Sequence, residues 1–190
     1  MSALFTADQY KIKSTFFDFF TQRFTFHDLQ GNVIGYAKMK AFKLKEDLTI
    51  YADQSMQIPL VAIKARSIID FGATYDIADA QTGENLGSTQ RKGMRSILKD
   101  TYYLNDSAGQ KYGEFIEDSN AVLRRFIPFI PARYHIEIGG QQNIHLQQGL
   151  NPFFKTTTVK IPSDHKIDRR VVAAMALISS GIEGRQKSII

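Results

Sequence analysis

The sequence predicts a mainly β protein: a closed antiparallel barrel of about twelve strands around a buried C-terminal helix. Three observations predict it. One pattern recurs three times: aromatic, any residue, apolar, any residue, Asp, a short gap, Gly, three residues, Gly. The copies start at Phe24, Tyr75 and Tyr102 and place Asp28, Asp79 and Asp106 before the glycine pairs Gly31/Gly35, Gly83/Gly87 and Gly109/Gly113. Much of the remaining chain consists of short runs in which apolar and polar residues alternate, the period of a strand with one buried face. Finally, no charged residue occurs between Arg170 and Glu183.

Each element follows from local chemistry. Residues 1–23 form an N-terminal segment with an aromatic cluster, Phe16-Phe17-Asp18-Phe19-Phe20, read as a short strand or a docking segment. The barrel strands occupy 24–162. Phe24 and Phe26 share one strand face. Asp28 then turns the chain by bonding its own backbone, and Gly31 accepts a positive φ. The return strand alternates Tyr36, Lys38 and Lys40 against Ala37, Met39 and Ala41. Its phase slips at Ala41-Phe42, which predicts a bulge or bend. Leu48–Ala52 and Pro59–Phe71 read as strands, the latter on its β-branched content and its Lys64/Arg66 alternation. The second repeat returns over Leu86–Lys92 and the third over Tyr112–Glu117. Ala121–Ile127, Tyr134–Ile138 and Phe153–Ile161 complete the set. Short strands at this spacing indicate a barrel or a sandwich.

Residues 168–181 read as a helix, with Asp168 as its N-cap and Gly181 as its stop. A helix apolar all round has to be buried all round. Ala173, Ala174, Ala176, Ser179 and Ser180 keep it slim. A barrel of about eight strands is filled by its own side chains, so a barrel that houses a helix needs more.

Composition narrows the function. The 190 residues suit a single domain. The absence of cysteine excludes disulfides, thiolate zinc sites and a cysteine nucleophile, and fits a reducing compartment. The N-terminus lacks the pattern of a signal peptide. The longest apolar run, Val171–Ile182, is shorter than the ~20 residues of a membrane-spanning helix. The expectation is a cytoplasmic protein, peripheral to a membrane at most. The four histidines, His27, His135, His145 and His165, show no metal-ligand spacing, so no metal or cofactor is expected. Ser163-Asp164-His165 has the residue types of a catalytic triad, but adjacency does not produce triad geometry; the segment reads as a loop into the helix. The chain is expected not to be an enzyme.

The Asp-x-x-Gly hairpins, the run from Thr74 through Asp79, Gly83 and Gly87 to Lys92, and the terminal apolar helix together resemble the tubby C-terminal-like superfamily. That group includes the phospholipid scramblases and the plant LURP-one-related proteins. The resemblance spans about Phe24 to Gly181. It implies a roughly twelve-stranded barrel around a C-terminal helix, and association with membrane phospholipids, phosphoinositides above all. The chain lacks the Cys-rich segment and the membrane-inserting helix of scramblases, so lipid scrambling and calcium dependence are not carried over.

Four cations in nine residues, Arg91, Lys92, Arg95 and Lys99, with Gly93 among them, make the leading anion-binding stretch. Arginine would grip phosphate oxygens as a fork and lysine as a point charge. Lys38, Lys40, Lys43 and Lys45 form a second basic run. The competing reading of both is a solvated face, with Asp100 and nearby glutamates paired to the first stretch. Arg124-Arg125 is a weaker patch, and Arg169-Arg170 would sit at the mouth of the helix. Cations fit a helix N-terminus poorly, which points to a carboxylate or another anion nearby. Glu114, Glu117 and Asp118 read as charge partners of Arg124 and Arg125. The functional expectation is a non-enzymatic module that binds an anionic phospholipid headgroup through a basic rim. The alternative is a structural or protein-interaction domain without a lipid ligand. Nucleic-acid binding, which needs a basic groove with exposed aromatics, ranks below both.

Overall fold

The computed structural model describes residues 2–18, 21–40, 47–67, 73–92, 100–118, 130–149 and 155–186. Twelve strands follow one another in chain order: β1 Gln9–Asp18, β2 Thr21–His27, β3 Val33–Lys40, β4 Leu48–Tyr51, β5 Pro59–Ser67, β6 Thr74–Asp79, β7 Asn85–Arg91, β8 Thr101–Asn105, β9 Lys111–Glu117, β10 Arg133–Ile138, β11 Gln141–Gln148 and β12 Lys155–Lys160. Each pairs antiparallel with its sequence neighbours, and β12 returns to β1, which closes the barrel. A short 3-10 turn, Ala3–Phe5, precedes the wall, and one helix, α1 Arg169–Gln186, follows it.

The helix runs inside. Every residue from Val171 to Gly181 is buried, and Val172, Ala173, Ala174, Met175, Ala176 and Ile178 are fully so. Three successive helical turns are therefore covered on all sides. At ~1.5 Å per residue the helix is about 27 Å long. The inward row of the wall, including Tyr10, Ile12, Phe24, Phe26, Ile50, Val61, Ile63, Ile77, Leu104, Phe115, Ile136 and Val159, forms one core with it. The two serine hydroxyls of the helix are satisfied. Ser179 Oγ donates to the Ala176 carbonyl (3.1 Å), while Ser180 Oγ bonds the same carbonyl (2.7 Å) and Thr157 Oγ1 (3.1 Å).

The threefold repeat builds three bulged hairpins. In each turn the Asp carboxylate accepts backbone N–H groups: that of Asn32 for Asp28, those of Gln81 and Thr82 for Asp79, and those of Ala108 and Gln110 for Asp106, all at 2.8–2.9 Å. Gly31, Gly83 and Gly109 take positive φ. A register shift follows each turn, after Phe26, Ile77 and Leu104. Those three inward residues then pair with the second glycine of each copy, Gly35, Gly87 and Gly113. The second glycine admits a neighbour. A Cβ on Gly87 would lie 2.1 Å from the Asn105 carbonyl oxygen, one on Gly113 2.8 Å from that of Glu137, and one on Gly35 3.1 Å from Leu4.

Three boundaries differ from the sequence reading. The wall begins at Gln9 rather than Phe24, because Tyr10 and Ile12 alternate inward behind lysines that face out. β11 escapes notice because only Ile144 and Leu146 point inward from a glutamine-rich run. Gly139 and Gly140, which looked like a stop, both have positive φ and join β10 to β11 as a two-residue hairpin. The helix passes through Gly181 to Gln186, since Gly181 keeps a helical backbone instead of the left-handed one a stop requires. Asp168 does cap it: the Arg170 N–H donates to Asp168 Oδ1 at 2.8 Å. The Ala41-Phe42 slip, the strand expected over Ala121–Ile127, and Phe153 lie outside the described residues.

The two glycine classes can be told apart by stability. Gly83 needs its positive φ but has free space, so Gly83→Ala should cost about 1–2 kcal/mol. Gly87 has both the positive φ and a carbonyl in the way, so Gly87→Ala should cost several kcal/mol. Urea denaturation of the two variants checks the order; equal losses would contradict it.

Candidate functional site

The barrel has two rims of different chemistry. At the near rim, where α1 begins, the strands are linked by 28–32, 52–58, 80–84, 106–110 and 139–140, and 161–168 leads from β12 into the helix. At the far rim, the links are 19–20, 41–47, 68–73, 92–100, 118–132 and 149–154.

An ionic cluster fastens the start of the helix. The Arg170 guanidinium donates to three carboxylates: Nη1 to Asp79 Oδ2 and Glu84 Oε2, both at 2.8 Å, and Nη2 to Asp168 Oδ2 at 2.6 Å. Arg169 Nη1 donates to the Ala7 carbonyl at 2.6 Å, and its Nη2 pairs with Asp8. These anchors face each other across the barrel. Ala7 and Asp8 precede β1 at the β1–β12 seam, and Asp79 and Glu84 flank the β6–β7 turn, six strands away in a ring of twelve. Adjacent residues on a helix diverge by about 100°, so two successive arginines reach opposite walls. The anion expected near Arg169-Arg170 is thus a set of the chain's own carboxylates.

The turn and the cluster share Asp79. The Thr82 backbone N–H, followed by the Arg170 guanidinium, holds its carboxyl down at about 2. Burial would raise the Asp168 carboxyl, but the Arg170 hydrogen bonds outweigh it and leave it low. Acids still exceed cations here. Burial, helped by the negative charges of Asp168 and Asp106, pushes the Tyr112 hydroxyl up to about 12.

Beside the cluster lies a cleft of about 860 Å³. Phe5, Val33, Ile34, Ile58 and Leu60 form its apolar side, and Asp79, Asp168, Arg169 and Arg170 its ionic side. Val33 and Ile58 remain 42% and 50% exposed. A second cleft of about 700 Å³, bounded by Leu29, Asp28, His145 and Lys160, opens on the same rim.

Of the two leading basic runs, Arg91, Lys92, Lys38 and Lys40 are among the described residues, and the fold separates them. Arg91 shares the inward row of Thr89 and pairs in register with the buried Tyr102. Its Nη2 donates to the buried Asp100 at 2.6 Å. Burial alone would lower the Arg91 pKa, but the Asp100 charge raises it. Asp100 in turn donates its N–H to the buried Glu117 at 3.0 Å. Lys92 lies on the outer surface, 3.7 Å from Glu114 and 5.0 Å from the Tyr103 ring. Lys111 shares both partners, at 4.5 Å from that ring. Arg91 and Lys92 thus serve opposite sides of the wall and do not converge. Lys38 is exposed on β3, four strands from β7; Lys40 ends β3. Arg95, Lys99, Lys43, Lys45, Arg124 and Arg125 lie outside the described residues. Glu114 lies against Lys92 and Lys111, Glu117 accepts the Asp100 N–H, and Asp118 pairs with His135 Nδ1 (2.6 Å); Arg124 and Arg125, their expected partners, lie outside the described residues.

Among the described residues no group of three or more His, Asp or Glu side chains is arranged to hold a metal ion. Ser163-Asp164-His165 forms a turn before the helix, where the His165 N–H donates to the Pro162 carbonyl. The Arg170 cluster was only half legible: the misplaced cations signalled a carboxylate, but nothing local linked Asp79 and Glu84 to a helix that starts at position 169. No family model, no curated protein and no solved structure matches this chain.

The cluster predicts a pH effect of definite sign. Carboxyls held low in the folded state contribute stability that is present above pH ~4 and lost as pH falls toward about 2. Asp79→Asn should flatten this acid limb, and Arg170→Ala should cost about 1–3 kcal/mol at neutral pH, because the pairs are only partly buried. Denaturation curves at pH 7, 4 and 3 check both; an unchanged acid limb in Asp79→Asn would contradict the assignment.

Proposed function

We propose that this chain is a non-enzymatic module that binds anionic phospholipid headgroups at a membrane surface, with its far rim facing the lipid. A contrast in composition carries the reading. The far-rim links 19–20, 41–47, 68–73, 92–100, 118–132 and 149–154 hold eight of the 14 phenylalanines. They also hold Lys43, Lys45, Lys92, Arg95, Lys99, Arg124 and Arg125 against Glu46, Asp47, Asp70, Asp100 and Asp118. The near-rim links hold no phenylalanine, Phe5 at this rim standing ahead of β1, and one cation, Lys166, against Asp28, Asp53, Glu84, Asp106, Asp164 and Asp168. Aromatic residues interleaved with cations suit the boundary between headgroups and acyl chains, and each cation near an anionic surface contributes about 1 kcal/mol.

The barrel wall itself is no lipid-spanning surface. Its outward row, with Lys11, Lys38, Lys64, Arg66, Asp76, Gln90, Glu114 and Lys160, is polar, and its interior is apolar, the reverse of a membrane barrel. Among the described residues no helix is long and apolar enough to cross a membrane. Association would therefore be peripheral and through the links. Kinship with the tubby C-terminal-like superfamily belongs to the same proposal, and a twelve-stranded barrel around a C-terminal helix is the architecture it requires.

Sedimentation with vesicles tests the reading. The chain should pellet with phosphatidylcholine vesicles that contain phosphatidylserine or a phosphoinositide, and not with phosphatidylcholine alone. Binding should weaken as salt screens the attraction, and Arg124→Ala with Arg125→Ala should lower it about tenfold or more. A chain left in the supernatant by acidic vesicles at low salt refutes the proposal and leaves the structural or protein-interaction role.

A further inference from the structure

The near rim is the wrong sign for an anionic lipid, yet both clefts described above open on it. Among the described residues the exposed large hydrophobics are Leu29, Val33, Met56 and Ile58. All four lie at this rim, in its first two links or at the start of β3. Val33 and Ile58 line the 860 Å³ cleft, with Ile34 and Leu60 beneath. Clustered exposed apolar side chains beside a cleft mark a surface that is covered when in use. The cleft's other side is ionic: Asp79 and Asp168 line it with Arg169, which pairs with Asp8, and Arg170, and Glu84 stands just outside the lining. Asp79, Glu84 and Asp168 share the single charge of Arg170, and Glu84 keeps 57% of its side chain exposed.

We infer that this cleft docks a short basic segment of a partner protein, in which a branched aliphatic side chain stands next to lysine or arginine. The aliphatic group would cover Val33 and Ile58. The neighbouring cation would take up the negative charge that Arg170 leaves uncompensated. Complementary charge sets the choice of partner and speeds encounter, and the apolar floor holds the segment in place. An acidic segment would meet six like charges in the surrounding links, so the site discriminates by repulsion as well as attraction. The inference does not rest on lipid binding. If both hold, a barrel seated on a membrane by its far rim presents this cleft to the solution.

Selection of displayed random peptides on the intact chain tests it. Peptides with an aliphatic residue next to lysine or arginine should be enriched. A labelled copy of one should bind about fivefold more weakly to Ile58→Ser or to Val33→Ser, each of which loses part of an apolar contact. Both side chains are half out of the core, so thermal melts should match the parent. Glu84→Gln, measured separately, should weaken binding and reduce its salt dependence. Enrichment of acidic or purely polar peptides, no enrichment, or binding indifferent to both serine variants overturns the inference. So does self-association that Ile58→Ser abolishes, because the occupant would then be a second copy of the chain.

Discussion

A helix with no polar face is the constraint from which the rest of the molecule follows. Val171–Gly181 has no surface fit for water, so it needs a complete enclosure, and an open sheet would leave one side wet. A closed ring of twelve strands provides it, and closure also removes the unpaired edges that invite aggregation. Alanines on the helix and glycines on the wall then settle clearances. Where Phe26, Ile77 and Leu104 project inward, their partners in register are Gly35, Gly87 and Gly113. The repeat is thus one device used three times: an Asp-capped turn, a bulge that bends the wall, and a second glycine where another group approaches closely.

Burial fixes what lies inside but does not locate the helix along the barrel axis, since an apolar rod can slide in an apolar tube. The Arg169 and Arg170 pairs supply that position. Because they reach opposite walls, neither can shorten without lengthening the other. The partners are also economical in fold terms. Asp79 already closes a repeat turn, and Asp8 already precedes β1. One set of residues therefore registers the helix, the β1–β12 seam and the β6–β7 hairpin together. Isolated exposed ion pairs contribute little, but a network of partly buried carboxylates on one guanidinium is a better case.

The fold was legible because its signals are local. Alternation marks strands, Asp with Gly marks turns, and the length of the uncharged run marks a buried helix. Where the local signal was thin, the reading failed: β11 has two inward residues among glutamines, and Gly181 resembles a stop only until its backbone is seen. The candidate sites were less legible, because they depend on which face a residue takes. Arg91 and Lys92 look like one patch in sequence, yet alternation puts one against buried Asp100 and the other beside Tyr103 and Glu114. Asp79 looked like turn chemistry alone and serves a second partner 91 positions away. Val33 opens β3 and Ile58 stands just before β5, and a single aliphatic residue at a strand boundary carries no signature of its exposure.

The unequal charge of the two rims has one internal explanation to weigh. A helix carries partial positive charge at its N-terminus and partial negative charge at its C-terminus, so acids at the near rim and bases at the far rim suit α1 itself. That effect is worth about 0.3–1 kcal/mol per group and fades within one turn of the helix end. It accounts for Asp168, and with Arg170 for Asp79. It does not account for Asp28, Asp53 and Asp106, which accept backbone N–H groups of their own turns, or for Lys43, Arg95 and Arg124 in links that join different pairs of strands. Least of all does a dipole call for phenylalanine, an uncharged residue, of which eight fall in the far-rim segments and none in the near-rim ones. The links of the two rims differ in aromatic content as well as in sign. A helix dipole acts on sign alone, so it leaves the difference in aromatic content unexplained.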